Sequence, residues 1–135
     1  MEFDNGTIRQ FDNGNTNTDS MKENVILRKT IDFSLKVIDF TEGLMETKKF
    51  VIANQLLKSA TSIGANVHEA QNAESKNDFI HKFKIAAKEI EETKYWLLLC
   101  KESSHYPECD FLIEDLHEID KIVTTILSTS KKHQN

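Results

Sequence analysis

Glu114 and His117 have the residue types and the spacing of a metal site. The pattern Glu-x-x-His places a carboxylate and an imidazole one helical turn apart, and di-iron helical bundles use it. Such sites need two copies of the pattern and two further carboxylates, all pointing into the bundle. Glu114 and His117 instead flank an apolar stripe, which consists of Leu112, Leu116 and Ile119. We therefore predict no metal ion and no other cofactor.

Single histidines and clustered hydroxyls are the other residues that could support catalysis. His68 and His81 have no second histidine four residues away, so we expect both on the solvated surface. Ser59, Thr61 and Ser62 precede His68, but a nucleophile needs a base within hydrogen-bond distance and an oxyanion hole. The spacing secures neither of them. We predict that the protein is not an enzyme.

The composition indicates a helical domain of ordinary size. The chain has 135 residues, of which 39% are hydrophobic and 29% charged, with one proline and four glycines. Such a chain is poor in turn formers and rich in helix formers. No apolar run is long enough to cross a bilayer, and Met1 is followed by polar residues rather than by a signal peptide. We expect a cytoplasmic protein without a membrane partner.

The first twenty residues differ from the rest of the chain. Their single cation, Arg9, is opposed by four carboxylates, namely Glu2, Asp4, Asp12 and Asp19. The sequence Phe-Asp-Asn-Gly occurs twice, at 3–6 and at 11–14. We predict a flexible acidic tail over 1–20 and a folded domain over 21–135, with a hairpin or docking segment in the tail as the alternative.

Apolar residues at steps of three and four predict helix 1 from about Asn24 to Leu44. Two adjoining stripes form its predicted buried face: Leu27, Ile31, Leu35 and Ile38, and Phe33, Val37, Phe40 and Leu44.

Helix 2 is predicted from about Phe50 to Gln71, and small residues mark its buried side. Ala60 and Gly64 lie one turn apart on that side, next to Ile63. Because glycine within a helix costs about 1 kcal/mol relative to alanine, we expect close approach by a neighbouring backbone at Gly64. Two polar residues near this side are expected to form a hydrogen-bond network across the bundle or between subunits, namely Asn66 and Glu69.

Helices 3 and 4 complete the predicted domain. Ser75 and Asp78 have the spacing of an N-terminal cap, so helix 3 should begin there and end before Pro107. Helix 4 should begin near Cys109. Three short connections then require an all-α, antiparallel, up-down-up-down four-helix bundle. Cys100 and Cys109 flank the last connection, and we expect both to be reduced, although oxidation could bring them together.

Residues in helices 2 and 3 carry a resemblance to a known family. The matching segments are QLLKSA at 55–60, SIGANV at 62–67, Glu69-Ala70, Ser75, Asp78-Phe79, Lys82, Ile85-Ala86, Lys88-Glu89, Glu92-Thr93 and YWL at 95–97. They resemble the four-helix-bundle proteins encoded in 23S ribosomal RNA intervening sequences, over about Val25 to Ile126. The family is also similar to the accessory variability determinant of diversity-generating retroelements.

That resemblance implies a homo-oligomer and a nucleic-acid context. In the wider group it implies a ring-like pentamer, and in the retroelement branch it implies nucleic acid or a reverse transcriptase as the partner. For the intervening-sequence branch it implies no particular biochemical role. The net charge of −5 opposes non-specific nucleic-acid binding, so a local patch would be needed. The lysines that we single out for this patch are Lys58, Lys76, Lys82, Lys84 and Lys88.

Three functions follow in order of preference. The first is a non-catalytic, homo-oligomeric adaptor that binds RNA, DNA or a nucleic-acid enzyme. The second is a structural or protein-interaction bundle, and the third is a metal-dependent bundle enzyme. Tyr95 and Trp96 are assigned to packing rather than to base stacking, an assignment that exposure of either ring on a basic face would reopen.

Overall fold

Four long helices form the protein in a computed structural model, which describes the backbone of residues 16–133 and the side chains of residues 25–133. The helices are α1 (Thr16–Glu46), α2 (Phe50–Glu69), α3 (Lys76–Glu102) and α4 (Asp110–Lys132). A short 3₁₀ turn, Ala70–Asn72, continues α2 toward the next connection.

The helices are arranged as a square. Each helix contacts the helices before and after it, and α1 also contacts α4. Among the described residues, no Cα atoms of the diagonal pairs, α1 with α3 or α2 with α4, lie within 8 Å of each other. Because the connections are short, successive helices run antiparallel. The predicted up-down-up-down bundle is confirmed.

The N-terminal helix begins earlier than predicted. It starts at Thr16, within the predicted tail and ahead of the expected start near Asn24. The polar residues before Asn24 show no apolar periodicity, so the sequence pattern did not reveal this extension. Adding a residue to an existing helix gains one hydrogen bond without a new nucleation event, which allows polar residues to continue it. The remaining part of the predicted tail, 1–15, lies outside the described residues together with both Asn-Gly steps.

The buried side of α1 differs from the predicted stripe. Leu35 is 54% exposed, whereas Thr30 and Thr41 are buried. Each threonine hydroxyl donates to a carbonyl of its own helix, Thr30 to Leu27 at 3.0 Å and Thr41 to Val37 at 2.8 Å. These bonds satisfy the buried hydroxyls, so threonine can occupy positions in the core. Apolar periodicity alone does not predict such positions.

The N-terminus of α3 is capped as the sequence predicts. The Ser75 hydroxyl accepts a hydrogen bond from the Asp78 amide at 3.0 Å, and the Asp78 carboxylate accepts one from the Glu74 amide at 3.1 Å. Two amides at this end of the helix are thereby satisfied, and the acidic side chain lies in the first turn, where the helix dipole favours it. The helix ends at Glu102, before Pro107.

A buried polar contact joins α2 to α3 within the otherwise apolar core. The Thr93 hydroxyl donates to Ser59 Oγ at 2.9 Å, with the Glu89 carbonyl as an alternative acceptor at 2.7 Å. Ser59 donates to the Leu56 carbonyl at 3.3 Å. Both side chains are fully buried, so the contact fixes the register of the two helices.

Removal of this contact should destabilise the fold. Thr93→Val keeps the shape of the side chain but removes its hydroxyl, so we expect a loss of about 1 to 2 kcal/mol in unfolding free energy. Urea denaturation followed by circular dichroism measures this loss. Thr124→Val, at an exposed position of α4, should change stability little. Equal effects of the two substitutions would contradict a specific role for the Ser59–Thr93 contact.

The close approach of α1 and α2 depends on Gly64. A Cβ atom at this position would lie 3.1 Å from Thr30 Cβ and 3.3 Å from Thr30 Oγ1. Thr30 is buried and bonded to its own helix, so it has little freedom to move away. At Gly43, by contrast, a Cβ would meet nothing within 4 Å. The atoms closest to an added Cβ at Gly64 thus belong to the Thr30 side chain rather than to the backbone, which was the expected neighbour. The Thr30 carbonyl oxygen is the next atom, at 3.6 Å.

These two glycines give a matched test. Gly43→Ala should stabilise the protein by about 0.5 to 1 kcal/mol, because alanine favours the helix. Gly64→Ala should destabilise it, and Gly64→Leu should do so by more than 2 kcal/mol, because the added atoms overlap α1. Thermal denaturation compares the three variants. An increase in Tm for both alanine variants would disprove close packing at Gly64.

Candidate functional site

One side of α3 faces away from the bundle and carries basic and aromatic residues. We call this side the α3 outer face and define it by His81, Lys84, Lys88 and Tyr95, all of which are exposed. Their spacings of three, four and seven residues keep them on one side of a helix with 3.6 residues per turn. The buried residues of α3 lie on the opposite side and include Phe83, Ala86 and Ile90.

Lys84 and Lys88 are not neutralised within the described part of the chain, where neither forms an ion pair. They lie one turn apart, a spacing at which like charges disfavour a helix by about 0.2 to 0.5 kcal/mol. Other lysines reach carboxylates on neighbouring helices, as Lys29 does with Glu118 at 2.7 Å. The α3 outer face therefore presents two positive charges that are free to meet an anion.

The other three lysines of the predicted patch have different surroundings. Lys82 forms an ion pair with Glu69 of α2 at 3.6 Å. Lys58, on α2, is close to Glu89, where burial and a neighbouring carboxylate raise the pKa of Glu89 and Lys58 opposes that increase. Lys76 is the first residue of α3 and is half-buried. Lys82 thus has an ion-pair partner and Lys58 lies near a carboxylate, whereas Lys84 and Lys88 form no ion pair within the described residues.

Tyr95 is exposed rather than packed, contrary to the sequence prediction. Its side chain is 54% exposed on the same side of α3 as the two free lysines. Trp96 packs against the core, as expected, and its indole Nε1 donates to Glu92 at 3.1 Å. The two rings meet edge to face, with centroids 5.1 Å apart and an angle of 66°. Trp96 therefore supports Tyr95 from one side.

Three carboxylates lie between Lys88 and Tyr95 along α3. Glu89 is half-buried, whereas Glu91 and Glu92 are exposed and each has a partner. Glu91 pairs with Lys94 at 3.0 Å, and Lys94 also bonds Asp120 of α4 at 2.7 Å. Glu92 accepts the indole hydrogen bond of Trp96. Glu91 and Glu92 are nevertheless exposed and lie within one turn of Lys88, so this end of the α3 outer face also carries negative charge.

A groove of about 280 Å³ lies between α1 and α2. We call it the α1/α2 groove. Its lining side chains are uncharged apart from one histidine, and they include Ile31, Leu35, Thr61, Gly64, Ala65 and His68. Leu35 projects from this surface beside the small residues of α2. The sequence contains a signal for this groove, since Leu35 is apolar and Gly64 and Ala65 are small, but apolar periodicity predicts Leu35 in the core.

His68 is half-buried at this groove rather than fully solvated, which corrects the prediction. One ring nitrogen, Nε2, lies 3.3 Å from the Leu27 carbonyl oxygen of α1. A carbonyl only accepts hydrogen bonds, so this nitrogen carries the proton. Burial lowers the pKa of His68, and the bond to Leu27 partly opposes this shift.

The predicted packing residues occupy different environments. Ala60, Ile63 and Gly64 are buried on α2. Asn66 donates to the Ser62 carbonyl at 2.9 Å, a bond within its own helix. The predicted polar link across the bundle is made by Glu69, through its ion pair with α3, and not by Asn66.

A second apolar groove of about 300 Å³ lies between α3 and α4. We call it the α3/α4 groove, and it is lined by Lys94, Leu97, Leu98, Lys101, Ile113, Leu116 and His117. In a square bundle the α1/α2 and α3/α4 sides are opposite each other. The α1/α4 side differs, because Lys29–Glu118 and Lys36–Asp115 pairs cross it at 2.7 Å each.

The hydroxyl cluster on α2 does not form a catalytic arrangement. Thr61 donates to the Leu57 carbonyl and Ser62 to the Lys58 carbonyl, both at 2.7 Å. Neither hydroxyl is bonded to His68, whose Nε2 contacts α1 instead. The bonds satisfy the hydroxyls locally and leave them without a general base.

The candidate metal residues of α4 lie at the surface rather than inside the bundle. Glu114 and His117 are exposed on α4, and Glu102 and His105 repeat their spacing at exposed positions around the end of α3. Within the residues described, no three His, Cys, Asp or Glu side chains come together in a way that could hold a metal ion.

Both cysteines are buried and reduced near the last connection. The Cys109 thiol lies 3.6 Å from the Leu97 carbonyl oxygen, one turn before Cys100. Burial, with a smaller contribution from Cys109, raises the pKa of Cys100 to about 11. Shielded, protonated thiols are poor nucleophiles.

In the described part of the chain, none of the helices combines the length and the apolar character that a bilayer span requires.

Comparisons with known proteins agree with the fold and the residue pattern. The sequence profile of the 23S rRNA-intervening sequence protein family matches residues 22–125. This chain is similar to a protein of unknown function from the S23 ribosomal protein family of Bacteroides thetaiotaomicron, whose crystal structure is known. The two are 38% identical in sequence and superpose with a TM-score of 0.76. The match covers 80% of this chain and 99% of the Bacteroides chain. No curated protein matches. The chain therefore belongs to the 23S rRNA-intervening sequence protein family.

Proposed function

We propose that the protein is a non-catalytic, homo-oligomeric adaptor that binds nucleic acid and acts in the cytoplasm. The observation that carries this proposal is that Lys84 and Lys88 are exposed on the α3 outer face and form no ion pair within the described residues. Positive charges without acidic partners lose little when they contact phosphates, because no existing ion pair has to break. The family name is consistent with a nucleic-acid context but assigns no activity.

Self-association is proposed from the positions of the two grooves. Leu35 in the α1/α2 groove and Leu98 in the α3/α4 groove are each at least half exposed, at 54% and 50%. When complementary surfaces lie on opposite sides of a subunit, contact between unlike surfaces produces a ring if the rotation closes. The pentamer implied by the family resemblance is one such ring.

A ring would compensate for the small number of lysines per subunit. Each neutralised phosphate contributes about 0.9 to the slope of log affinity against log salt concentration on duplex DNA. Two lysines alone give weak binding, and the net charge of −5 opposes it. Repetition of the α3 outer face around a ring raises the local positive charge and allows several subunits to contact one strand.

The nucleic-acid proposal is tested with paired lysine variants. We expect the Lys84→Ala/Lys88→Ala double variant to weaken binding to labelled structured RNA and duplex DNA by about tenfold or more at low salt, with a smaller salt slope. Fluorescence anisotropy on nuclease-treated protein measures both quantities. The control, Lys121→Ala/Lys132→Ala, removes the same charge from exposed positions of α4. Equal binding by the two double variants would overturn the assignment to α3.

The assembly proposal is tested by placing a charge in either groove. Leu35→Glu or Leu98→Glu should reduce the molar mass measured by light scattering, because a buried carboxylate without a partner opposes association. Val51→Glu is the control, since Val51 is 73% exposed and lines neither groove. A wild-type monomer, or unchanged mass in both groove variants, would contradict the proposal.

A protein-interaction bundle is the second candidate. Phe50, Val51 and Phe111 are exposed near the helix ends next to the first and last connections. Exposed aromatic residues favour a protein partner over phosphate. A partner that is retained after nuclease treatment and at high salt would favour this candidate, because these conditions remove nucleic acid and weaken phosphate contacts.

A further inference from the structure

We infer that the α3 outer face is a binding site for single-stranded nucleic acid, in which Tyr95 stacks on a base while Lys84 and Lys88 contact phosphates. This inference rests on the proposed function and adds the class of nucleic acid to it. The observation behind it is the exposure of Tyr95 in line with two unpaired lysines. Basic residues combined with exposed aromatic rings are the usual means of binding single strands.

The surroundings of Tyr95 hold its ring in place without covering it. Trp96 contacts it edge to face, with ring centroids 5.1 Å apart. Trp96 is fixed in turn by packing on the core and by its hydrogen bond to Glu92 at 3.1 Å. A ring supported from one side loses little freedom when a base covers its open surface, so stacking there is favourable.

The spacing along α3 separates the phosphate contacts from the base contact. Lys84 and Lys88 are about 6 Å apart along the axis, and Tyr95 lies about 10.5 Å beyond Lys88, at 1.5 Å per residue. A strand that follows the helix axis would place phosphates at the lysines and an unstacked base at Tyr95. In a duplex the bases are stacked on each other, so their flat surfaces are not available to Tyr95.

The charged neighbours of this face are compatible with that arrangement. Of the three carboxylates between Lys88 and Tyr95, Glu91 is paired with Lys94, Glu92 accepts a hydrogen bond from Trp96, and Glu89 is half-buried. Their negative charge disfavours a phosphate at this point of the helix, whereas a base carries no such charge. His81, one turn before Lys84, adds a donor at the basic end.

The test compares a single strand with a duplex. The full-length protein is titrated into a labelled oligothymidylate and into a labelled duplex of equal length, with anisotropy as the readout. We expect tighter binding of the single strand. Tyr95→Ala should weaken it about 5- to 100-fold, within the range for the loss of one stacked base, and should leave duplex binding unchanged. Tyr95→Phe keeps the ring and should retain wild-type affinity.

Matched controls separate stacking from loss of structure. Phe50→Ala removes an aromatic ring of similar exposure, 51%, from α2 and should leave affinity for the single strand unchanged. Trp96 is the single tryptophan of the chain, so its fluorescence gives a second readout. The single strand should change this fluorescence in the wild type and in Tyr95→Phe, and should do so much less in Tyr95→Ala.

The outcomes distinguish this inference from the proposed function. If Tyr95→Ala binds the single strand as tightly as the wild type, while the lysine double variant loses affinity for single strand and duplex alike, the inference is overturned and the proposed function stands. Equal weakening of single strand and duplex by Tyr95→Ala also overturns it. If the wild type binds neither at low salt, the proposed function and the inference both fail.

Discussion

The contact between Gly64 and Thr30 sets how closely α1 and α2 can pack, and the other features of the bundle depend on that distance. Any side chain at Gly64 would meet Thr30 Cβ at about 3.1 Å. With α1 held against one side of α2, the Ser59–Thr93 contact holds α3 against another. Helix α2 is thus fixed by small and hydroxyl-bearing residues on two sides, where bulky apolar residues would keep the helices apart.

This close packing explains why the candidate interaction surfaces have different chemistry. Small residues on α2 leave a shallow uncharged groove beside Leu35, because little side-chain volume fills the surface between α1 and α2. The α1/α4 side is instead covered by long lysine side chains that reach Glu118 and Asp115. Ion pairs of this exposed kind contribute little stability, but they occupy the charges that could otherwise meet a ligand. Lys84 and Lys88 form no such pair within the described residues, because they lie on a side of α3 that faces no neighbouring helix.

The fold could be predicted from the sequence much more fully than the site. The period of apolar residues, the Ser75 cap and the short connections each specify local structure, and together they require the observed bundle. Which residues are exposed depends on how each helix is rotated about its own axis. Apolar periodicity determines this rotation only approximately. Leu35 and Tyr95 were therefore assigned to packing although both are more than half exposed. Apolar periodicity does not predict that Thr30 is buried, because threonine is polar. Its hydroxyl donates to the Leu27 carbonyl, and this bond makes burial possible.

Net charge is a poor guide to what the α3 outer face can bind. The protein carries a net charge of −5, yet many of its charges lie in pairs whose fields largely cancel beyond a Debye length, about 8 Å at physiological salt. An approaching strand therefore responds mainly to charges that lack a partner nearby. Lys84 and Lys88 form no ion pair within the described residues, and Tyr95, about 10.5 Å beyond Lys88 along the helix axis, offers an interaction that salt does not screen. Binding through such a face should combine a modest salt dependence with a preference for unpaired bases, a combination that phosphate contacts alone would not produce.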